Sequence, residues 1–129
     1  MIRNFENKTA VLTGAGSGFG KECALIGAKA GMNLVLADVQ ADALQATVNE
    51  CLQLGAKVLA KTLDVSKAEQ VEQLAQETFA LFGAPHLVFN NAGVGAGGLV
   101  WENSLADWQW VLGVNLMGVV HGVKSFTPM

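Results

Sequence analysis

The sequence contains no tyrosine. No phenol is therefore available among these residues to donate or accept a proton. Cysteine occurs only as Cys23 and Cys51. The two have neither metal-ligand spacing nor a redox partner, and they read as reduced thiols on helices. Lysine and arginine together number 8, against 11 acidic residues, for a formal charge of −3. They form no cluster, which excludes the basic footprint of a nucleic-acid-binding protein. An uninterrupted apolar run of about eighteen residues, the signature of a membrane span, is also missing. The longest candidate, Val111 to Val123, is too short and contains Asn115 and His121. The N-terminal stretch Met1 to Glu6 has no apolar signal core, so a cytoplasmic location is the default expectation. Neither His86 nor His121 has companions at ligand spacing, and no metal is expected.

The sequence is rich in apolar residues, at 51%, with a mean hydropathy of +0.36. At 129 residues the chain is the size of one domain and can bury a core. Strands buried on both faces of a parallel sheet produce such a bias. The order of elements agrees. Strands are expected at Thr9 to Thr13, Asn33 to Asp38, Lys57 to Thr62 and His86 to Asn90. Helices are expected at Gly18 to Ala30, Ala41 to Leu54, Ser66 to Phe82 and Leu105 to Lys124. Ser66-Lys67-Ala68-Glu69 has the spacing of a capping box, and Ser104 is placed to cap the last helix. That helix is apolar on two sides, through Leu105, Trp108, Leu112, Leu116 and Val119 and through Trp110, Val114, Met117 and Val120. One side can lie on a sheet, and the other needs a further partner. Alternating strands and helices with short loops predict an α/β doubly wound parallel sheet with strand order 3-2-1-4. Its ligand crevice lies between strands one and four, above the carboxyl ends of the strands.

Residues Thr13 to Gly20 read Thr-Gly-Ala-Gly-Ser-Gly-Phe-Gly. A strand here empties into a glycine turn that opens a helix, where backbone N–H groups and the helix dipole favour a pyrophosphate. Such a turn alone is weak, since any βα unit can carry glycines. Asp38 ends the second strand, and a carboxylate there accepts hydrogen bonds from ribose hydroxyls while repelling a 2′-phosphate. No basic residue follows it in Val39-Gln40, which favours NAD over NADP. The competing reading makes Asp38 a cap of the next helix. Asp64-Val65, just past strand three, is placed to reach an adenine edge, although an Asp before a helix is also ordinary turn chemistry. Asn90-Asn91-Ala92-Gly93 leaves strand four at the crevice, where a polar strand-ending turn is the alternative.

Together these segments resemble the short-chain dehydrogenase/reductase family over essentially the whole chain from Lys8. Thr13, Gly14, Gly16, Ser17, Gly18, Phe19 and Gly20 lie in its Thr-Gly-x-x-x-Gly-x-Gly fingerprint. Asp38 with Val39 and Asp64 with Val65 match its ribose and adenine contacts. Asn91, Ala92 and Gly93 match its Asn-Asn-Ala-Gly motif, and Asn115 matches the Asn of its Val-Asn. The resemblance implies a Rossmann-like sheet cut after the fourth strand and its helix, forming one NAD-binding domain over residues 1 to 129. It also implies hydride transfer between NAD and an alcohol or carbonyl substrate. The family's Tyr-x-x-x-Lys pair and Ser have no counterpart here, and Asn115 alone of its catalytic set is present. The expectation is the cofactor-binding half of an enzyme, truncated and inactive by itself. It should be oligomeric through the helix Leu105 to Lys124, whose family counterpart lies in a subunit interface. A non-catalytic dinucleotide-binding module is the alternative, and a methyltransferase a weaker one.

Overall fold

A computed structural model describes residues 4–129. Met1, Ile2 and Arg3, part of the N-terminal stretch read above, lie outside it. Four strands form one parallel sheet in the order β3-β2-β1-β4: β1 is Thr9–Thr13, β2 Asn33–Asp38, β3 Val58–Thr62 and β4 Leu87–Phe89. Helices α1 (Gly18–Lys29), α2 (Ala41–Gln53) and α3 (Ala68–Phe82) cross between them. The chain reverses its winding at β1, which pairs with β2 on one side (Val11 opposite Val35) and with β4 on the other (Val11 opposite Val88). The result is a doubly wound, Rossmann-like α/β fold of the expected strand order.

Successive side chains of a strand face opposite sides of the sheet, so each strand contributes to two cores. Leu12, Leu34 and Leu36 point to the side of α1 and α2, where they meet Ala24, Ala28, Leu44 and Cys51. Val11, Val35 and Ala37 point to the other side and pack with Val71, Leu74, Ala75 and Phe126. Both sets are nearly free of solvent contact. This two-sided burial explains the unbroken apolar reading of β1 and β2.

Several expected boundaries move. β4 is shorter than His86 to Asn90. At its start the His86 Nδ1 accepts the N–H of Thr9 (3.2 Å), so a ring replaces a backbone ladder partner. At its end the N–H of Asn91 turns back to the carbonyl of Phe89 (2.9 Å), a three-residue turn that leaves the sheet. The capping box at Ser66 does not form. Lys67 is the residue preceding α3, and it makes no side-chain cap. Ser66 instead donates its N–H to the Asp64 carboxylate (2.9 Å), an Asx-type turn that leads into the helix. A capping box does form one helix later. Ser104 accepts from the N–H of Asp107 (3.1 Å), and the Asp107 carboxylate accepts from the N–H of Ser104 (2.9 Å).

The last helix is not uniform. It runs as α4 (Leu105–Leu112), a π-helical turn (Gly113–Met117) and α5 (Gly118–Phe126). Its inward side is formed by two glycines and one aromatic ring, with Gly118, Gly122 and Phe126 buried. Leu105, Trp108, Leu112, Leu116 and Val119 are all exposed. The glycines bring the helix backbone close to Val65 and Asn90, and apart from Phe126 its largest apolar side chains are turned outward.

Candidate functional site: a cleft at the winding reversal

The sheet reversal leaves a cleft of about 430 Å³ between the end of β1 and that of β4. The glycine turn forms its floor through Gly14, Ser17, Gly18 and Phe19. Asp38, Val39, Asp64 and Val65 form one flank, and Asn91, Ala92 and Gly93 the other. Four expected residues stand behind these walls and shape them: Thr13, Gly16, Gly20 and Asn115.

The floor is held open from below. Gly14 adopts φ +66°, a left-handed conformation suited to a residue without Cβ. A Cβ on Gly20 would collide with the carbonyl of Gly14, so α1 packs against the turn only because position 20 is bare. Ser17 precedes α1 and provides no side-chain cap, and no acidic side chain occupies the first turn. The first N–H groups of the helix therefore remain available to an anion in the cleft.

Asp38 is tied to this floor. Its Oδ2 accepts the N–H of Gly16 (2.8 Å), and its Oδ1 accepts the N–H of Gln40 (2.9 Å). Each bond fixes the carboxylate at the cleft wall. The bond to Gln40 also bears on the helix-cap alternative. Gln40, not Asp38, is the residue preceding α2, and Asp38 reaches back to the glycine turn as well. Position 16 needs a small residue, since a Cβ there would lie 2.9 Å from Asp38 Oδ2 and 3.0 Å from Ala43 Cβ.

Thr13 and Asn91 join the ends of β1 and β4. The Thr13 hydroxyl accepts the N–H groups of Asn91 (3.0 Å) and Ala92 (3.1 Å). The Asn91 amide donates to the carbonyls of Thr13 (3.0 Å) and Gly14 (3.3 Å). Asn90 points the other way, against Gly122 of α5. The Asn115 amide closes the rim: its Oδ1 accepts the N–H of Val94 and its Nδ2 donates to the Val94 carbonyl, both at 2.8 Å. The π turn carries Asn115 and aims it at this loop.

The cleft also contains residues that sequence reasoning missed. Gln40, Ala43, Leu63, Val94, Trp110 and Val114 line it. Leu63 follows the third strand and Val94 follows Gly93, and that adjacency in sequence is the available signal. Val114 precedes Asn115 in the Val-Asn pair and carried the same signal. Trp110 had none, because a helix apolar on two sides does not declare which residue faces a cleft. Among the described residues no group of His, Cys, Asp and Glu could hold a metal. Among the same residues no helix is long and apolar enough to cross a membrane.

A glycine-floored cleft at the winding reversal of a doubly wound sheet, with an acidic residue ending β2, defines the class of nucleotide-binding Rossmann-like domains. The family model for short chain dehydrogenases matches residues 8–129, and the chain belongs to that family. A short chain dehydrogenase/reductase from Burkholderia phymatum, solved in complex with NAD, is 54% identical and superposes with a TM-score of 0.95, covering 98% of this chain and 45% of that one. An alcohol dehydrogenase from Thermococcus sibiricus, complexed with 5-hydroxy-NADP, is 36% identical with a TM-score of 0.89, covering 94% of this chain and 52% of that one. Cyclohexanol dehydrogenase from an Acinetobacter species is 37% identical over 129 residues, 99% of this chain and 51% of that enzyme. The chain spans about half the length of the curated relatives it matches.

Proposed function

We propose that these residues form the NAD-binding domain of an oxidoreductase that moves a hydride between the nicotinamide and an alcohol or carbonyl carbon. The observation that carries the reading is the Asp38 carboxylate, held at the cleft by Gly16 and Gln40. Fixed there, it offers its remaining lone pairs to ribose hydroxyls, and a hydrogen bond to a charged group contributes about 1.5–3 kcal/mol. A 2′-phosphate brings about −1.5 to −2 charge toward the same carboxylate, and Val39 and Gln40 offer no compensating cation. The cofactor is therefore NAD and not NADP. The N–H groups opening α1 hold the pyrophosphate, with Ser17, Gly18 and Phe19 beneath it. Asp64 and Val65 flank the adenine. Asn91, Ala92 and Gly93 approach the nicotinamide end.

NAD supplies the hydride acceptor, and NADH the donor. The chain's own residues bind and orient it. Asn115 acts here by holding the Val94 backbone at both its N–H and its carbonyl, which sets the rim beside the reacting ring. No tyrosine is present to act as general base, so residues 1–129 bind the cofactor without turning over substrate. The protein is read as cytoplasmic. The exposed apolar side of α4 and α5 is read as pairing with a second copy.

Titration with NADH and NADPH, following energy transfer from the tryptophans, tests this reading. Trp110 lines the cleft and is the expected donor. NADH should bind at least about tenfold more tightly, and Asp38→Ala should remove the preference. Tighter binding of NADPH to the unsubstituted protein would refute the role of Asp38. Oxidation of NADH by residues 1–129 in the presence of a ketone would refute the claim of inactivity.

A further inference from the structure

His121 has no role in the reading so far, yet it is fastened to the cleft wall. Its Nδ1 lies 2.8 Å from the carbonyl of Val65. A carbonyl only accepts, so the proton sits on Nδ1. The same residue is gripped a second time from α5. A Cβ on Gly118 would stand 2.7 Å from Val65 Cγ2, so the valine side chain rests directly on bare helix backbone. Val65 itself lines the cleft and is nearly buried. The neighbouring residue is restrained independently: Asp64 donates its N–H to Gln70 Oε1 (2.8 Å).

One helix thus reaches both ends of the cleft. At the π turn, Asn115 holds Val94. One turn later, Gly118 and His121 hold Val65. We propose that His121 is a positioning residue for the adenine end of the cofactor cleft, locking the Val65 peptide so that its wall is formed before the ligand arrives. The inference rests on the dinucleotide reading above. A preformed wall saves the ordering cost that a loose turn would pay on binding. With the imidazole removed, the Val65 carbonyl loses its donor, and the Asp64-Val65 turn loses one of the restraints that set its wall.

The test uses the protein at its full natural length, with AMP, ADP-ribose and NADH as probes. His121→Phe keeps the ring and removes the donor. His121→Asn places an amide N–H at the same distance along the side chain as Nδ1. The expected result is that His121→Phe weakens all three ligands by a common factor of about fivefold, and that His121→Asn restores binding to within about twofold. Equal affinity for AMP in the unsubstituted protein and His121→Phe would overturn the proposal while leaving the dinucleotide reading intact. So would equal losses in the two variants. If the unsubstituted protein bound neither AMP nor NADH, both readings would fall together. A measurement on the unsubstituted protein stands apart from any folding defect. Its 15N spectrum should show His121 protonated at Nδ1, with a signal that moves when AMP is added. An Nε2-protonated tautomer with bare Nδ1 would also overturn the inference.

Discussion

At the scale of the residue, Thr13 binds more of the site together than any residue that faces the ligand. It is 4% exposed, and its hydroxyl accepts two N–H groups from the strand opposite. Thr13→Val keeps the shape and removes that acceptor, leaving the Ala92 N–H without a partner and the Asn91 N–H with the Phe89 carbonyl alone. A buried donor stripped of its partner costs about 1–3 kcal/mol. Urea denaturation of Thr13→Val should show a loss of about 1–3 kcal/mol, while Thr13→Ser should stay close to the unsubstituted protein. A Thr13→Val variant of unchanged stability would mean that water satisfies those groups. The sequence marked Thr13 only as the first letter of a motif. Its partner set depends on Asn91 and Ala92 lying 78 and 79 positions away, and no local pattern encodes such a distance. Asp38 shows the same limit. Its position was legible as the acid that ends β2. Its grip on the Gly16 N–H was not.

At the scale of the element, the strands and the first three helices were readable because their apolar periodicity and glycine stops agree. β1 and β2 fall where expected, residue for residue. The last helix reads in sequence as one uniform piece, whereas the structure breaks it with the π turn at Gly113–Met117. Apolar periodicity cannot register one extra residue in a turn when both sides are apolar. The tertiary contacts of Asn115 with Val94 and of Gly118 with Val65 fix it. The capping box of α4 makes a separate prediction. Ser104 hydrogen bonds, first through its side chain and then through its backbone, hold the Asp107 carboxyl below its ordinary value of 3.8. A carboxylate lowered in the folded state adds stability above its unfolded value and loses it as pH falls through the folded one. The contribution is solvent-screened and small. Ser104→Ala should destabilise the protein by about 1 kcal/mol at pH 7, and the difference should shrink below the ordinary value of 3.8. Thermal unfolding at pH 7 and pH 3 measures it, and a difference that persists undiminished at pH 3 would exclude the Asp107 contribution.

At the scale of the whole molecule, the outer face of α4 and α5 dominates. Leu105 is 81% exposed and Leu116 55%, with Trp108, Leu112 and Val119 alongside them. Exposed apolar side chains grouped on one helix face fit the proposed pairing with a second copy. Under the proposal of a paired helix, sedimentation should report a dimer or larger species. Leu116→Glu with Val119→Lys should shift it toward monomer while leaving NADH affinity within about twofold. A monodisperse monomer for the unsubstituted protein would remove the pairing proposal and leave the cleft untouched.

The sequence by itself determined the strand order, the glycine floor, the acid at the end of β2 and the amide turn after β4. Each depends on short-range chemistry: a buried strand reads as an apolar run, a tight turn needs missing side chains, and a strand end exposes its polar residue. The tertiary structure alone decided which residues hold those parts in register: Thr13 across to Asn91 and Ala92, Asn115 to Val94, His121 to Val65. Those contacts join segments far apart in the chain, and they exist only once sheet and helices have packed. Their geometry is set by the backbone of one element meeting the side chain of another, which no single stretch of sequence contains.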